Sequence, residues 1–517
     1  MMRRTRSLTT TTATSSTATS TSTVVVAVKD EACFVEPTSY PNIKLPGPAD
    51  QKEEQQLLLK TTTLDQDDNQ SSKRIDFLSQ LPTELALYIL LKLAIEHQTI
   101  HLLNCRAVST NWKGLAEDNL IWKQSYLTQP HWKINHNNKT TTTTTTTPKT
   151  THIQRRLSQL IGSPNSLITP SASSKSKSIP SLPELNWLKL FRDRSILDSR
   201  WSDGTQVSKK LKGHKDSVYC LQMHDQQIIT GSRDRTIKVW DTRTRECQRT
   251  LVGHKGSVLC VRFDEQVLLS GSSDSSVFVW DKARWTVVME LVGHRSGVLD
   301  LGLTPTAFVS CSKDTTIKVW ARPDGALLRT ISGHAGPVNA LELSLLPLNT
   351  LLGNQPSPSS SNNSKALLSA SGDSSMKLWD LDSGKLIRTF EGHLRGLACL
   401  KLVEETRQII TGSNDETIKI WNLITSQCLR TLLGHSGLVR SLDFSLPHNR
   451  LVSGSYDKTI KVWDLTTGQL LLDFRKGADR NLVFDVKFNL TTIVSVGPPN
   501  SVMLLDFADG LEADMFQ

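Results

Sequence analysis

Six segments in the second half of the chain each carry an imidazole, a hydroxyl, a carboxylate and an indole at regular spacing. In the first segment these groups belong to His214, Thr230, Asp234 and Trp240. The second segment repeats the set as His254, Ser270, Asp274 and Trp280. A hydroxyl near an imidazole and a carboxylate is the constellation of a hydrolytic triad. Because an enzyme has no use for one triad per segment, the recurrence instead predicts buried hydrogen-bond networks that tie strands together.

The segments are internal repeats. Each opens on a Gly-His pair, at Gly213-His214, Gly253-His254, Gly293-His294, Gly333-His334, Gly392-His393 and Gly434-His435. The first three intervals are 40 residues, the fourth is 59 and the last is 42. Before each Trp the apolar residues alternate, as Ile237 and Val239 do around Lys238, which is the period of a half-buried strand. A period near 40 with Gly-His and Trp-Asp marks is typical of propeller blades.

A seventh unit is degenerate. Gly477-Ala478 stands where Gly-His is expected, and Leu505-Asp506 replaces Trp-Asp. Residues 483–488, 492–495 and 502–506 still have strand character, and the segment 207–211 would complete this last blade and close the circle. We therefore predict an all-β seven-bladed propeller over residues 205–517. A Ser/Pro/Asn-rich loop at 346–365 is inserted in its fourth unit.

A small all-α domain is predicted at residues 75–126. Leu85, Ile89 and Leu93 recur at helical spacing after Leu81-Pro82. Ser109 and Asp118 are expected to cap two further short helices. Because a few short helices bury only a small core by themselves, we expect them to pack against another surface of the protein. An amphipathic linker helix is predicted at 184–204.

Composition limits the remaining possibilities. The chain has 517 residues and a formal net charge of +10. Residues 1–29 and 131–183 hold eleven basic and no acidic residues. The basicity therefore belongs to a Ser/Thr-rich tail (1–74) and a linker (127–183), both predicted to be disordered, and it does not indicate nucleic-acid binding. No apolar run is long enough to cross a membrane.

Two observations bear on localisation. The eight cysteines include no CxxC pair, which favours a reducing compartment, and we expect a cytoplasmic or nuclear protein. A mitochondrial transit peptide is the alternative for an Arg-bearing, acid-free start. The Thr/Ser/Ala run lacks an Arg-studded amphipathic helix, which favours a low-complexity tail.

Two regions resemble known domains. Residues 209–507 resemble WD-repeat propellers. Residues 77–123 resemble an F-box through Leu-Pro-x-Glu-Leu from Leu81, Ile89-Leu90, Val108-Ser109, Trp112 and Leu120-Ile121-Trp122. Together with the helix that carries Trp187, Leu190-Phe191 and Trp201, the chain resembles the F-box/WD-repeat substrate receptors of cullin-RING (SCF-type) ubiquitin ligases.

This resemblance implies a receptor and not an enzyme, with no cofactor and no metal. The F-box would bind a Skp-type adaptor and through it a cullin, and the propeller would bind a substrate protein, often a phosphorylated one. The receptor's contribution would be proximity and orientation. The adaptor-binding candidates are Leu81, Pro82, Leu85, Ile89, Leu90, Val108 and Trp112. The alternative for each is that it only packs the helices together.

In relatives that read phosphorylated segments, two positions per blade face the substrate. One follows the first Val or Leu of the innermost strand, and the other precedes the Asp of the blade. Here these positions supply the cations Arg233, Lys313 and Arg440 and the aromatic residues Tyr219, Tyr456 and Phe484. Arginine binds phosphate through two parallel hydrogen bonds, but at these positions cations and aromatic residues are mixed. The alternative to phosphate recognition is that the cations are exposed and bind no ligand. The alternative function is a non-degradative WD-repeat scaffold.

Overall fold

The computed structural model describes residues 78–95, 109–129, 131–134, 185–224, 227–353, 364–475 and 481–516. The predicted tail, most of the predicted linker and the Gly477-Ala478 pair lie outside these residues. No helix within the described ranges is both long and apolar enough to cross a membrane.

The described residues form five helices. They are α1 (Thr83–Ile95), α2 (Thr110–Ala116), α3 (Asn119–Leu127), α4 (Trp187–Asp203) and the single turn α5 (Leu348–Leu351), with 3-10 turns at Leu78–Gln80 and Ala513–Met515. Ser109 and Asp118 cap α2 and α3 by accepting the backbone N–H groups of Trp112 and Leu120, as predicted. Helix α4 ends at Gly204, whose φ of 71° is the left-handed conformation that glycine adopts most readily.

The strands of the described residues form seven antiparallel four-stranded sheets, which confirms the predicted seven-bladed propeller. Blades 1 and 2 consist of β2 (Val218–His224), β3 (Gln227–Ser232), β4 (Thr236–Asp241) and β5 (Cys247–Val252), then β6 (Val258–Phe263), β7 (Val267–Ser272), β8 (Ser276–Asp281) and β9 (Thr286–Val292). Blades 3 and 4 consist of β10 (Val298–Leu303), β11 (Ala307–Ser312), β12 (Ile317–Ala321) and β13 (Leu327–Ile331), then β14 (Val338–Pro347), β15 (Lys365–Ser371), β16 (Met376–Asp380) and β17 (Leu386–Phe390). Blades 5 and 6 consist of β18 (Leu397–Val403), β19 (Gln408–Ser413), β20 (Ile418–Asn422) and β21 (Cys428–Leu432), then β22 (Val439–Ser445), β23 (Arg450–Ser455), β24 (Thr459–Asp464) and β25 (Leu470–Arg475).

Blade 7 closes the ring in the way the sequence predicted. It consists of β26 (Asp485–Phe488), β27 (Thr492–Gly497) and β28 (Ser501–Asp506), with β1 (Val207–Leu211) as its outermost strand. Strand β1 pairs antiparallel with β28, from Val207 opposite Asp506 to Leu211 opposite Val502. The two ends of the propeller are therefore joined in one sheet, which closes the ring.

The innermost strand of each blade lines a central channel, and successive innermost strands pack against one another around the ring. In blades 1 to 6 the pairing of this strand shifts register near its start, for example between Val218 and Cys220. A β-bulge re-aims the extra residue. The residues at the shift are Tyr219, Leu259, Leu299, Asn339, Ala398 and Arg440, which are the positions predicted to face a substrate.

The helical bundle and the propeller share one hydrophobic core, which confirms the expectation that the bundle leans on another surface. This cluster includes Leu90 of α1, Trp122 of α3, Trp201 of α4 and Phe507 after β28. Trp201 stacks on Phe507 with ring centroids 3.9 Å apart, and its Nε1 donates to the Leu490 carbonyl at 2.7 Å. Helix α4 therefore joins the two domains.

The inserted segment of blade 4 is more ordered at its start than the predicted loop 346–365 suggested. Strand β14 continues to Pro347, and the turn α5 buries Leu348 and Leu351 in the core between blades 4 and 5. Strand β15 resumes at Lys365. Residues 354–363 lie outside the described ranges.

Candidate interaction surfaces of the propeller and the helical bundle

The predicted polar quartets form in blade 1 and recur through blade 6 among the described residues. In blade 1, His214 Nδ1 lies 2.9 Å from the Asp234 carboxylate and His214 Nε2 lies 2.8 Å from Thr230 Oγ1. Trp240 Nε1 donates to the same hydroxyl at 2.8 Å. The second quartet, predicted around His254, forms likewise, and four further sets centre on His294, His334, His393 and His435. Each hydroxyl thus lies between an imidazole and an indole.

The electrostatics of these groups fits a structural role. Burial lowers the pKa of His214 despite the neighbouring carboxylate. Burial alone would raise the pKa of Asp234, but hydrogen bonds from Thr236, the Lys215 backbone and His214 outweigh it and lower that pKa to about 2. The Asp234 carboxylate thus accepts several hydrogen bonds within its own blade, which fits a group that joins strands and not a catalytic base.

The cysteines of the innermost strands are core residues. Cys220, Cys260 and Cys399 are buried, and burial raises the pKa of each thiol, to about 12 for Cys399. A thiol with a raised pKa carries little thiolate near neutral pH and is a poor nucleophile. Within the described ranges, no group of three or more metal-binding side chains comes together.

At the mouth of the channel the structure brings together four of the six substrate-binding candidates. The Tyr219 and Phe484 rings stack with centroids 5.4 Å apart, and Tyr456 meets Phe484 edge-on at 5.6 Å. Burial raises the pKa of Tyr456, and the neighbouring Arg440 guanidinium opposes that shift. Arg440 Nη1 donates to the Ala398 carbonyl at 3.3 Å. We call these four residues of blades 1, 6 and 7 the mouth cluster.

The other two candidates lie on the turns before the quartet aspartates of blades 1 and 3. Arg233 is exposed in blade 1, with its Nε 3.7 Å from an Asp216 carboxylate oxygen. Lys313 is exposed on the equivalent turn of blade 3. The joint approach of Arg233 and Arg440 to one ligand therefore stays a prediction.

Below the mouth, ion pairs join neighbouring innermost strands, and these residues were not singled out in the sequence. Arg262 pairs with Asp300 at 3.4 Å, Lys401 with Glu342 at 3.1 Å and Lys487 with Asp443 at 3.2 Å. The available signal was a charged residue two positions after the buried cysteine, as Arg262 follows Cys260 and Lys401 follows Cys399. In each of these three pairs the cation is matched by a neighbouring anion.

The adaptor-binding candidates of the bundle differ in their exposure to solvent. Leu85 is 52% exposed and Pro82 is exposed, whereas Leu81, Ile89 and Trp112 are half-buried against the shared core. Leu90 is fully buried, so in this chain it packs the bundle. Val108 lies outside the described residues. The exposed candidates for a partner are therefore Pro82 and Leu85, with the half-buried residues beside them.

The two surfaces lie on opposite faces of the propeller. The residue after each Gly-His donates its backbone N–H to the quartet aspartate, as Lys215 does to Asp234 at 2.9 Å. The Gly-His loops and the Asp turns therefore share one face, which we call the Gly-His face, and the mouth cluster opens there. Trp201 contacts Leu490 in the turn between β26 and β27, at the other end of the strands. The helical bundle thus attaches to the face opposite the mouth cluster.

Two family models match the repeats and the helical bundle. The family model "WD domain, G-beta repeat" matches residues 205–241, 245–281, 285–321, 325–380, 384–422 and 426–464, and the model "F-box-like" matches 78–128. Strands β26, β27 and β28 of blade 7, with its degenerate marks, lie outside the matched repeats. Among solved structures, the computationally designed Ika8 protein matches 57% of this chain and 98% of its own, with 27% identity and a TM-score of 0.46.

Fungal proteins are among the relatives that match this chain. The "Probable E3 ubiquitin ligase complex SCF subunit sconB" of Penicillium rubens is 30% identical over 221 residues, which cover 34% of this chain and 32% of the relative. The corresponding subunit scon-2 of Neurospora crassa is 27% identical over 213 residues, covering 34% and 32%. The chain thus spans about a third of the length of these relatives. With an F-box-like segment ahead of the repeats of a seven-bladed WD propeller, the protein belongs to the F-box/WD-repeat proteins.

Proposed function

We propose that the protein is the substrate-recognition subunit of an SCF-type ubiquitin ligase and performs no bond chemistry itself. The observation that carries the proposal is the placement of two separate surfaces at opposite ends of one core. The helical bundle offers Pro82 and Leu85 to a Skp-type adaptor, and the mouth cluster faces away from it. A cytoplasmic or nuclear location is part of the proposal, supported by unpaired cysteines among the described residues.

Such an arrangement suits a receptor because ubiquitin transfer requires two proteins to be held at a fixed separation. Helix α4 buries Trp187 and Leu190 toward the bundle and Trp201 toward blade 7. The names of the sconB and scon-2 relatives support the same role. The quartet imidazoles and carboxylates of blades 1 to 6 are occupied by hydrogen bonds within the blades. This supports a propeller that binds a substrate protein and does not carry out a reaction.

Capture of the adaptor tests the proposal. We expect the full chain to co-purify a Skp-type adaptor and a cullin, and Leu81→Ala with Pro82→Ala to abolish this. Burying one such apolar side chain contributes roughly 1.5–3 kcal/mol. The control is Leu127→Ala, which removes an exposed leucine from α3 of the same bundle.

Because Leu81 also contacts the core, Leu85→Ala is measured alongside, since it removes an exposed side chain. Thermal melts separate a loss of contact from a loss of fold. If the wild-type chain captures no adaptor, the ligase role is wrong and the scaffold alternative takes its place. If all these variants capture the adaptor equally, Pro82 and Leu85 are not its binding site.

We further propose that substrates of this receptor carry a phosphate read by Arg233 and Arg440. Burial alone would lower the pKa of the Arg440 guanidinium, but Tyr456 and Asp485 outweigh it and raise that pKa, so the side chain stays charged. A charge-assisted hydrogen bond contributes about 1.5–3 kcal/mol.

Arg233→Ala with Arg440→Ala should therefore weaken substrate capture by about 3–6 kcal/mol if both bonds form, and phosphatase treatment should have a similar effect. Arg243→Ala with Arg284→Ala, two arginines on the opposite face, is the control. Normal capture by the first double variant, or indifference to phosphatase, would reject phosphate reading and favour an apolar contact at Tyr219, Tyr456 and Phe484.

A further inference from the structure

Charge on the Gly-His face is divided between its two halves. The Gly-His loops and Asp turns of blades 1 to 3 carry the cations Lys212, Lys215, Arg233, Arg235, Lys255, Arg295 and Lys313. The equivalent positions of blades 4 to 6 carry Arg395 and Lys458, together with the acids Glu391 and Glu416. We call the seven cations of blades 1 to 3 the basic sector.

Backbone hydrogen bonds fix the basic sector on one surface. The residues after the Gly-His pairs in blades 1, 2 and 3 donate their N–H groups to the quartet aspartates at 2.9, 2.8 and 2.9 Å. The turn residues Arg233 and Lys313 donate theirs to Ser217 and Gly297 of the same loops at 2.8 and 3.0 Å. All seven side chains are exposed. The sector is thus a continuous, built part of the face that also contains the mouth cluster.

The four carboxylates of the sector, Asp216 and the quartet aspartates of blades 1 to 3, offset part of its charge and leave three cations in excess. Asp234, Asp274 and Asp314 each face a histidine and accept several hydrogen bonds, with pKa values lowered to about 2. They are held within the blade ends, beneath the exposed cations. The Asp216 side chain, which is 46% exposed, is the carboxylate of the sector that reaches solvent, and it lies beside Arg233.

We propose that the basic sector binds an Asp/Glu-rich segment of the substrate that runs from the mouth cluster across blades 1, 2 and 3. This rests on the proposed receptor function and names a feature of its substrates. Four of the seven cations are lysines, which act as point charges without fixed bidentate geometry. Cations spread over three blades match charges repeated along an extended chain better than they match one phosphate.

A single-stranded nucleic acid fits the sector less well, because such ligands need aromatic platforms for base stacking. The positions between the sector's cations are small or hydroxylic, as at Gly256, Ser273 and Thr315. The aromatic rings of the mouth cluster pack against one another, and the half-buried ring of Phe278 in blade 2 stacks on His254.

A matched pair of variants of the full chain tests the proposal. Lys215→Gln, Lys255→Gln and Arg295→Gln remove three positive charges after the Gly-His pairs of blades 1 to 3. Ala335→Glu, Leu394→Glu and Ser436→Glu add three negative charges at the same positions of blades 4 to 6. Both variants change the net charge equally and leave Arg233 and Arg440 in place.

The probe is a fluorescent peptide of about twelve glutamates behind a tyrosine, long enough at roughly 3.4 Å per residue to cross three blades. We expect its affinity to fall at least about tenfold in the blade 1 to 3 variant and less than about threefold in the other, and to weaken with salt. Equal losses of peptide affinity in both variants would mean that the peptide responds to the net charge of the protein and not to the basic sector, which would overturn the proposal. Tighter binding of a single-stranded RNA, or binding only of a singly phosphorylated peptide without the glutamates, would overturn the proposal as well.

Adaptor capture by the same variants separates this inference from the proposed function. If both variants still capture the adaptor but the glutamate peptide does not bind the wild type, the acidic-segment inference is wrong and the receptor role stands. If adaptor capture fails for the wild type, the receptor role itself is wrong.

Discussion

Ser453 and Ser495 occupy the same place in blades 6 and 7 but have different surroundings. Ser453 Oγ lies 2.7 Å from His435 Nε2 and accepts Trp463 Nε1 at 2.8 Å. Ser495 Oγ is buried without a hydrogen-bond partner. Leu505 stands in blade 7 where Trp463 stands in blade 6, so the indole donor is absent there. Ser495 is thus the remnant of a quartet.

This difference gives a residue-scale prediction. Ser453→Ala should destabilise the protein by about 1–3 kcal/mol, because a buried indole and imidazole lose their partner. Ser495→Ala should be neutral or slightly stabilising, because it removes a buried hydroxyl that already lacks one. Denaturant melts of the two variants, with the wild type, provide the measurement. A larger loss for Ser495→Ala would show that its hydroxyl has a partner, and the comparison of blades would fail.

The spacing of His214, Thr230, Asp234 and Trp240 was enough to predict a quartet, because the same residue types at matching positions in six segments indicate one shared hydrogen-bond pattern. The mouth cluster was only partly predictable. Its members come from blades 1, 6 and 7, and their contact depends on ring closure and on a bulge that re-aims Tyr219. Neither the stacking of Tyr219 on Phe484 nor the ion pairs deeper in the channel can be read from one strand alone.

At the scale of the blade, stability comes from the quartet more than from the length of the connections. In blade 5 the Asp415 carboxylate lies 2.8 Å from His393 Nδ1 and accepts the Leu394 N–H at 3.0 Å. Burial alone would raise the pKa of Asp415, but hydrogen bonds from Thr417 and His393 lower it to about 2. The carboxylate therefore stabilises the folded state at pH values above its ordinary pKa, and this stabilisation is lost as the pH falls toward 2.

Asp415→Ala should cost about 1–3 kcal/mol, since His393 stays buried without its partner. Deleting residues 354–363 should cost much less, because loop length changes closure entropy only slowly. The deletion stops short of α5, whose Leu348 and Leu351 are buried. Glu405→Ala, which removes an exposed acid from the same blade, is the control. Thermal melts that ranked the loop deletion as the worst variant would contradict the blade assignment around 333–392.

The sequence predicted the strands and the longer helices well, but it did not predict the short helix α5 or the contacts between domains. The period of two located the strands of blade 7 although its Gly-His and Trp marks are lost, because alternation reflects burial and not the motif. It did not predict α5, since four residues give no helical period. Nor could it show that the bundle and blade 7 share a core, because that contact joins Trp201 to a residue about 300 positions away.

At the scale of the molecule, α4 is the connection on which the proposed function depends. Its Trp201 is buried between the helix and blade 7, and Arg200 Nη1 donates to the carbonyls of Phe507 and Asp509 at 2.8 and 2.9 Å. The guanidinium of Arg450 in blade 6 lies 4.3 Å from the Trp201 ring. These contacts hold the bundle against the face opposite the mouth cluster.

Trp201→Ala should therefore loosen the connection without altering either binding surface. Removing a buried tryptophan costs about 3–5 kcal/mol, and we expect this loss to appear first as faster hydrogen exchange in α4 and β28. Adaptor capture and glutamate-peptide binding should stay close to wild type, whereas ubiquitin transfer to a bound substrate should slow, because the substrate is no longer held at a fixed distance. Trp285→Ala, on the outer part of blade 2, is the control. Unchanged transfer despite faster exchange in α4 would show that a fixed separation is not required, and a loss of adaptor capture would mean that Trp201 also shapes the adaptor surface.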